Sequence, residues 1–481
     1  MTSPIACGHF IGGRWETSGE REIVRANPAD TAEVVARAPE GGAEEAWRAI
    51  GGAAAAAEKW RKVIPPERGK IVLRAARILE DHLEEVATLL TREQGKLLAE
   101  SRAEVKRAVD IMEYSSGLGR RLGGQTLPAE APGVFCYTLR QPIGPVALLT
   151  PWNFPVAIPC WKIAPALVCG DPVVFKPSPL TPATATRVVE IFLEAGVPPD
   201  VLSLVHGGAA VGTALVDDPR VAGVSFTGST KVGMAINLAA AGRMARTQLE
   251  MGGKNPQVVL ADADMSLAVE ACIAAAFGST GQRCTATSRA IVEKAAAPEF
   301  TERLVARAAA LRVGRGDAAA VDMGPVVDEN RWADVDGFVD RARRAGAEVL
   351  TGGGRPTSLA DGHFYLPTVV RARPDQEIAR EEVFGPVLSV VEADDFESAL
   401  AIANSVDYGL CASVFTRDIG RALRFVDLIQ AGMIHVNRPG LGGFAHFPFG
   451  GLKHSSFGAR EVGEDTLSFF TDLKSVYIRQ E

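Results

Sequence analysis

The run GPVALLT at residues 144–150 opens a series that continues with PVVFK (172–176), VLSLV (201–205), GVSFT (223–227) and PQVVL (256–260). Segments of helical spacing lie between these runs, for example 183–195 and 232–241. Short strands that are apolar on both faces and alternate with helices indicate a parallel sheet covered on both sides. Residues 143–260 therefore read as a doubly wound, nucleotide-binding type of sheet. Upstream, Pro65 and Pro66 open a segment with Ile71, Ala75, Ile78, Leu79, Leu83, Val86 and Leu90 at helical spacing, closed by Gly95. A second helix is expected over 97–118, then an extended stretch punctuated by Gly and Pro over 121–140. After Asp264 a second α/β region begins, with helices at 264–277 and 297–312 and alternation to about 434. The terminal TLSFFTDLKSVYIRQE reads as a strand with Val476 and Ile478 on one face. No repeat or low-complexity linker separates these regions.

Composition narrows the function. The 481 residues carry 51 Lys+Arg against 58 Asp+Glu, a net charge of −7, with 47% hydrophobic and 23% charged residues. That is an ordinary globular chain, and its acidic balance argues against a nucleic-acid or anionic-membrane surface. The seven cysteines are odd in number and show no C-x-x-C pair, and the seven histidines form no H-E-x-x-H motif. Neither a disulfide framework nor a metal site is expected. The start, MTSPIACGHFIGGRW, lacks the basic-then-apolar pattern of a signal peptide, and no apolar run is long enough for a membrane span. A cytoplasmic protein without a membrane partner is the expectation.

The nucleotide-binding reading meets an objection, because neither G-x-G-x-x-G nor a Walker A pattern is present. FTGSTKVG (226–233) does place Gly228 and Ser229 where a strand turns into a helix, a position that suits either a plain cap or a phosphate. Cys284 lies in FGSTGQRCTATS, where Gly281 and Gln282 end a helix and put the thiol in a loop. Arg283 beside it is expected to favour the thiolate. Glu250 at a strand end, followed by Gly252 and Gly253, is a possible base. Taken singly, Cys284 is a packing residue, Glu250 a solvated carboxylate, Asn153 in PWNFP (151–155) a turn residue and Lys176 in FKPS a surface cation.

Together these residues resemble the aldehyde dehydrogenase superfamily over essentially the whole chain. LEMGGKNP (249–256) matches its glutamate signature and FGSTGQRCT (277–285) its cysteine signature, with 34 residues from Glu250 to Cys284. PWNFP, FKPS, FTGSTKVG, EEVFGP (381–386) and PFGGLKHSSFG (448–458) follow the family's order. The resemblance implies an α/β fold: a doubly wound cofactor domain (1–123 and 141–251), an α/β catalytic domain (252–450) and a small β-element for oligomerisation (124–140 and 468–481). It implies Cys284 as nucleophile, Glu250 as hydrolytic base, and Asn153 with the Cys284 amide as oxyanion hole. NAD or NADP would be held by Trp152, Lys176, Pro179, Gly212, Phe226, Gly228, Ser229, Gly233, Gly252, Glu382 and Phe384. Pro179 stands where NAD-preferring relatives often carry a carboxylate, so a 2′-phosphate is not repelled.

The C-terminal half is most similar to semialdehyde dehydrogenases, above all those of 2-oxoglutarate semialdehyde (2,5-dioxopentanoate). The resemblance leaves succinate semialdehyde, a phosphorylated or phosphonylated aldehyde and an aromatic aldehyde as alternatives. Arg107, Arg283 and Arg438 are the candidate carboxylate anchors, and Phe154, Trp161 and Phe449 the candidate apolar walls. A relative that passes the acyl group to coenzyme A would lack Glu250. A catalytically retired relative would lack Cys284 or Glu250, and both are present. The expected partners are a small aldehyde and further copies of the chain, as a homodimer or homotetramer.

Overall fold

The computed structural model describes residues 3–19 and 21–479. Residues 480 and 481 of the expected C-terminal element, like residues 1, 2 and 20, lie outside the described residues. The first region is built on an eight-stranded sheet in the order Ser456–Phe457, Arg246–Glu250, Gly223–Thr227, Val146–Leu149, Val173–Lys176, Leu202–Leu204, His9–Ile11 and Arg14–Glu16. The strands from Arg246–Glu250 to Leu202–Leu204 are parallel. Chain order runs outward in both directions from Val146–Leu149, so it reverses between that strand and Gly223–Thr227. In an open parallel sheet the crevice beyond such a reversal is where ligands bind. Here the crevice is walled by Trp152 and Asn153 after one strand and by Gly228 and Ser229 after the other.

The strand expected at 256–260 forms as Asn255–Val259 but belongs to a different sheet, which corrects the reading of 143–260 as one sheet. It pairs with Thr287–Glu293 and Cys411–Phe415 in a seven-stranded sheet that also holds Glu348–Thr351, Thr368–Arg371, Val387–Ala393 and Met433–Val436. Met251 to Lys254 therefore carry the chain from one sheet to the other, within the motif LEMGGKNP, and the motif FGSTGQRCT follows the next helix, Met265–Phe277.

The segment expected as one helix up to Gly95 is two, Pro65–Asp81 and Leu83–Gln94, broken at His82 (φ −99°, ψ 16°). Gly95 ends the second in the left-handed region (φ 98°), the role glycine fills without a Cβ clash. Two elements gave no clear signal. The helix Ala43–Lys62 contains Gly51 and Gly52, which argue against helix, yet Ala46, Ala49, Ile50 and Ala53 form a buried stripe at helical spacing. The hairpin Arg21–Asn27 with Asp30–Glu40 is mostly polar on one face.

Packing explains why the central strands read as continuous apolar runs. Val146, Leu148, Val173, Phe175 and Leu202 face the helices Pro65–Asp81, Leu98–Leu118 and Ala157–Cys169, while Ala147, Leu149, Val174 and Val224 face a second core on the other side. The terminal strand Thr471–Arg479 pairs antiparallel with Val134–Pro142, with Thr126–Leu127 beyond it. Among the described residues no helix is long and apolar enough to cross a membrane, and no cluster of metal-ligating side chains occurs.

Phe175, fully buried in the strand that ends at Lys176, tests this core. Replacing it by alanine should lower the unfolding free energy by about 3–5 kcal/mol. Denaturant titration should show the midpoint fall with an unchanged m-value; an unmoved midpoint would mean that Phe175 is not a core anchor.

Candidate active site

The loop that carries Cys284 is held in a strained shape by another part of the chain. The helix Met265–Phe277, capped by Asp264, ends at Gly278, and Ser279 and Thr280 then adopt left-handed backbone with φ of 49° and 59°. For a residue with a Cβ that conformation costs roughly 1–2 kcal/mol. Glu100, near the start of the helix Leu98–Leu118, accepts the Ser279 amide at 2.6 Å and pairs with Arg283 at 3.0 Å. Arg283 Nε donates in turn to Ser279 Oγ at 3.0 Å. The Cys284 carbonyl accepts from Asn255 Nδ2 at 2.7 Å, which ties the loop to the crossing between the sheets.

The same helix fixes Asn153. Lys96 Nζ, buried, donates to the Asn153 carbonyl at 2.6 Å and pairs with Glu104 at 2.6 Å. The other oxygen of Glu104 accepts the amides of Val156 at 2.9 Å and Ala157 at 3.2 Å, completing the PWNFP turn. Asn153 Nδ2 donates to the Gln282 carbonyl at 3.0 Å, two residues from Cys284. One N–H of this amide is thereby engaged, which leaves the second N–H of the same nitrogen at the cavity wall.

Burial dominates the electrostatics. It pushes the Cys284 thiol up, helped by the carboxylates of Glu250, Glu382 and Glu461, while the Thr285 amide opposes it. The expectation that Arg283 would favour the thiolate is corrected, because its guanidinium is engaged by Glu100. Glu250 is held well above the usual carboxylate range by burial and by Glu461, with Ser456, Lys162 and Arg460 opposing. Its Oε2 accepts from Ser456 Oγ at 2.6 Å. Behind it a buried Lys162–Glu461 pair links through Lys162 Nζ to Ser225 Oγ at 2.8 Å.

Cys284, Trp152, Asn153, Gly228, Ser229, Gly252, Glu382 and Phe384 line one cavity of about 450 Å³ at the reversal of the first sheet. Glu250, at the end of the strand Arg246–Glu250, is buried and is not among the lining residues. Trp152 and Phe384 meet edge to face, ring centroids 5.5 Å apart. Glu382 accepts the Gly253 amide at 2.8 Å, and burial pushes its carboxyl up to about 7. A Cβ on Gly252 would strike the Glu382 carboxylate, and one on Gly228 would lie 2.5 Å from the Phe226 ring. Arg331, Asp334 and Phe338 line it as well. Sequence reasoning missed these three, since they lie in an unremarked helix, Glu329–Arg344.

None of the remaining candidates is among the residues that line this cavity. Lys176 donates to the carbonyls of Pro177 at 2.7 Å and Gly207 at 2.8 Å, and burial lowers it to about 8. Pro179 is half-buried in the turn that follows. A Cβ on Gly212 would make ordinary contact with Leu149 and Lys176, whereas one on Gly233 would meet Met251 Sδ at 2.5 Å, so Gly233 serves helix packing. On the other side Trp161 and Phe449 lie 5.4 Å apart, and the Phe154 ring sits under Lys96. Arg107 donates to the Gly443 carbonyl and has no carboxylate partner among the described residues. Arg438 lies over Phe444 at 5.9 Å. Arg283, expected as a third anchor, is instead part of the loop's own clamp.

Comparison with known proteins agrees with this arrangement. The pattern of the Aldehyde dehydrogenase family matches residues 15–476. The chain belongs to the aldehyde dehydrogenase family. It is 41% identical over 476 residues to an alpha-ketoglutaric semialdehyde dehydrogenase of Bacillus subtilis, covering 98% of each chain. It is 42% identical over 483 residues to an alpha-ketoglutarate semialdehyde dehydrogenase of Haloferax volcanii, covering 99% of each. A crystal structure of betaine aldehyde dehydrogenase from Staphylococcus aureus in complex with NAD+ superposes with a TM-score of 0.97 at 34% identity, over 99% of this chain and 96% of that one. This aldehyde dehydrogenase is thus an oxidoreductase with the family's fold throughout.

The raised thiol makes a kinetic prediction. Alkylation of Cys284 by iodoacetamide, with the Cys284→Ala variant as blank, should accelerate about tenfold per pH unit from pH 7 to 9 without a plateau. A plateau below pH 8 would show a thiolate stabilised by a neighbouring cation.

Proposed function

We propose that this aldehyde dehydrogenase oxidises a small acidic aldehyde to the carboxylic acid with NAD or NADP, and that 2-oxoglutarate semialdehyde is its best substrate. The observation that carries the reading is a single cavity joining Cys284 and Asn153 to Glu382 and Phe384 at the sheet's reversal. The residues suit a dinucleotide. Gly228 and Gly252 let the Phe226 ring and the Glu382 carboxylate approach the backbone at the cavity wall, Glu382 and Lys176 suit ribose hydroxyls, and Trp152 with Phe384 forms an aromatic wall. Pro179 carries no charge against a 2′-phosphate, so NADP is accepted beside NAD. Residues 1–123 and 141–251 would serve as cofactor domain and 252–450 as catalytic domain, with Ser456–Phe457 returning to the first sheet. The 124–140 and 468–481 element, with Phe135, Leu473 and Tyr477 exposed, would form the contact of a homodimer or homotetramer.

In this reading Cys284 loses its proton and its sulfur attacks the aldehyde carbon. The carbonyl oxygen becomes an oxyanion, received by the free N–H of Asn153 Nδ2 and the Cys284 amide, where one such donor is worth about 2.7–4 kcal/mol. NAD(P), when bound, supplies the hydride acceptor that lets the thiohemiacetal carbon reach the oxidation level of a thioester. Glu250 then takes a proton from the water that attacks this thioester, the C–S bond breaks, and the acid leaves. Glu250 must be ionised for this step, and its raised pKa places that ionisation above the ordinary carboxylate range.

Glu250→Gln separates the steps. The variant should release about one equivalent of reduced cofactor per site in a burst, then turn over about 10²–10⁴-fold more slowly than wild type. The wild-type steady state should rise with pH as Glu250 ionises, and the variant should lose that rise. A stopped-flow burst that slows by the same factor would make Glu250 the base for Cys284 instead.

The acidic substrate rests on the Arg107 guanidinium, held by Gly443 at the segment that leads to Phe449 and lacking a carboxylate partner among the described residues. Arg107→Met should lower kcat/KM for 2-oxoglutarate semialdehyde by about 10–100-fold, the worth of a charge-assisted hydrogen bond, and leave pentanal within about twofold. Equal losses on both aldehydes would remove Arg107 from substrate recognition.

A further inference from the structure

The sheet edge beside Glu250 is closed by a short return of the chain that the proposed chemistry leaves without a role. Residues 450–458 fold back so that Ser456–Phe457 pairs antiparallel with Leu249 and Glu250, and Ser456 stands directly opposite Glu250. Residues so opposed project to the same face of the sheet. Ser456 Oγ donates to Glu250 Oε2 at 2.6 Å. The same Oγ accepts the Gly451 amide at 2.6 Å, so the hydroxyl's single proton is aimed at the carboxylate. The other carboxylate oxygen lies against Gly450, where a Cβ would stand 2.7 Å from Glu250 Oε1. The return is anchored on both sides. Leu452–Lys453 pairs with Tyr408–Gly409, and Lys453 Nζ donates to the carbonyls of Asn404 at 2.8 Å and Val406 at 2.9 Å. The Ser455 carbonyl accepts the Met251 amide at 2.7 Å, and Arg460 donates to the Gly451 carbonyl.

We propose that Ser456 is a positioning residue for the deacylation base, its hydroxyl holding the Glu250 carboxylate while that carboxylate takes a proton from water. This proposal rests on the reading of Glu250 above and adds a residue to it. Ser456 keeps its own proton throughout, and Glu250 remains the group that is protonated. A donor aimed at a carboxylate stabilises the charged form. Burial and Glu461 push the Glu250 carboxyl up, while Ser456, Lys162 from the helix Ala157–Cys169 and Arg460 pull it down. The Cys284 thiol feels the Glu250 charge in turn. Lys162 is committed to Glu461 and Ser225, and Arg460 to the Gly451 carbonyl. Among the described residues, Ser456 is therefore the side chain hydrogen-bonded to the Glu250 carboxylate.

The decay of the acyl group, measured directly, tests this. With NAD limiting, the full chain acylates once on 2-oxoglutarate semialdehyde. Rapid acid quench and intact-mass detection then follow the loss of the acyl group from about pH 6 to 10. Ser456→Ala should move the rise of the decay rate about one pH unit upward. Decay would be about tenfold slower below both midpoints and within about twofold of wild type above them. The burst of reduced cofactor should keep its rate within about twofold. Ser456→Thr, which retains the hydroxyl, should restore the wild-type midpoint. Ser456→Ala added to Glu250→Gln should change the decay by less than about twofold. The proposal is overturned if the alanine midpoint stays in place, if threonine does not restore it, or if the burst slows as much as the decay. It is equally overturned if the alanine change still slows decay in Glu250→Gln. Wild-type chain that never acylates, or whose decay neither rises with pH nor depends on Glu250, would instead overturn the reading of Cys284 and Glu250 itself.

Discussion

Two carboxylates on one helix, Glu100 and Glu104, hold the reaction centre in shape. Glu104, charge-balanced by Lys96, grips the turn that carries Asn153. Glu100, balanced by Arg283, grips the left-handed turn that presents Cys284. The two turns arise from different sheets, and the Asn153–Gln282 hydrogen bond joins them directly. With one end fixed by a buried ionic hydrogen bond and the other by a half-buried one, the Asn153 amide and the Cys284 thiol are held in one relative position. Removing one member of such a buried pair leaves the other uncompensated, so the geometry and the fold are coupled here.

The second constraint is desolvation. Cys284, Glu250, Glu382 and Lys176 all have their neutral forms favoured by burial. Burial strengthens the pull of any donor at the cavity wall, and it favours the neutral thiol of Cys284 and the neutral carboxyl of Glu250. Glu250 accepts from Ser456, and the buried Lys162–Glu461 pair acts on its carboxyl from both directions, Glu461 raising it and Lys162 lowering it.

The parallel strands were legible because strands buried on both faces must read as short apolar runs, while their order in the sheet was not. Nor was membership legible. Asn255–Val259 looks like its neighbours, and only the crossing at Met251 to Lys254 assigns it to the second sheet. The helix Ala43–Lys62 was hidden because two glycines outweighed a stripe made of small alanines. At the site, motif residues such as Cys284, Asn153, Glu382 and Phe384 do converge on one cavity. Arg283 was misread, since a cation beside a thiol in sequence says nothing about the carboxylate that faces it in space. Arg331 was unreadable for the same reason: it shares the cavity wall with Gly228 only once the chain has folded.

The central claim is that Cys284 carries the acyl group and Glu250 releases it. Intact-mass and peptide-mass spectrometry of Glu250→Gln, quenched in acid after mixing with NAD and 2-oxoglutarate semialdehyde, tests this directly. The account predicts an acyl adduct on the peptide that contains Cys284, removed by hydroxylamine and absent without the cofactor. An adduct on Cys160 or Cys272, or steady product release with no adduct on any cysteine, would contradict it.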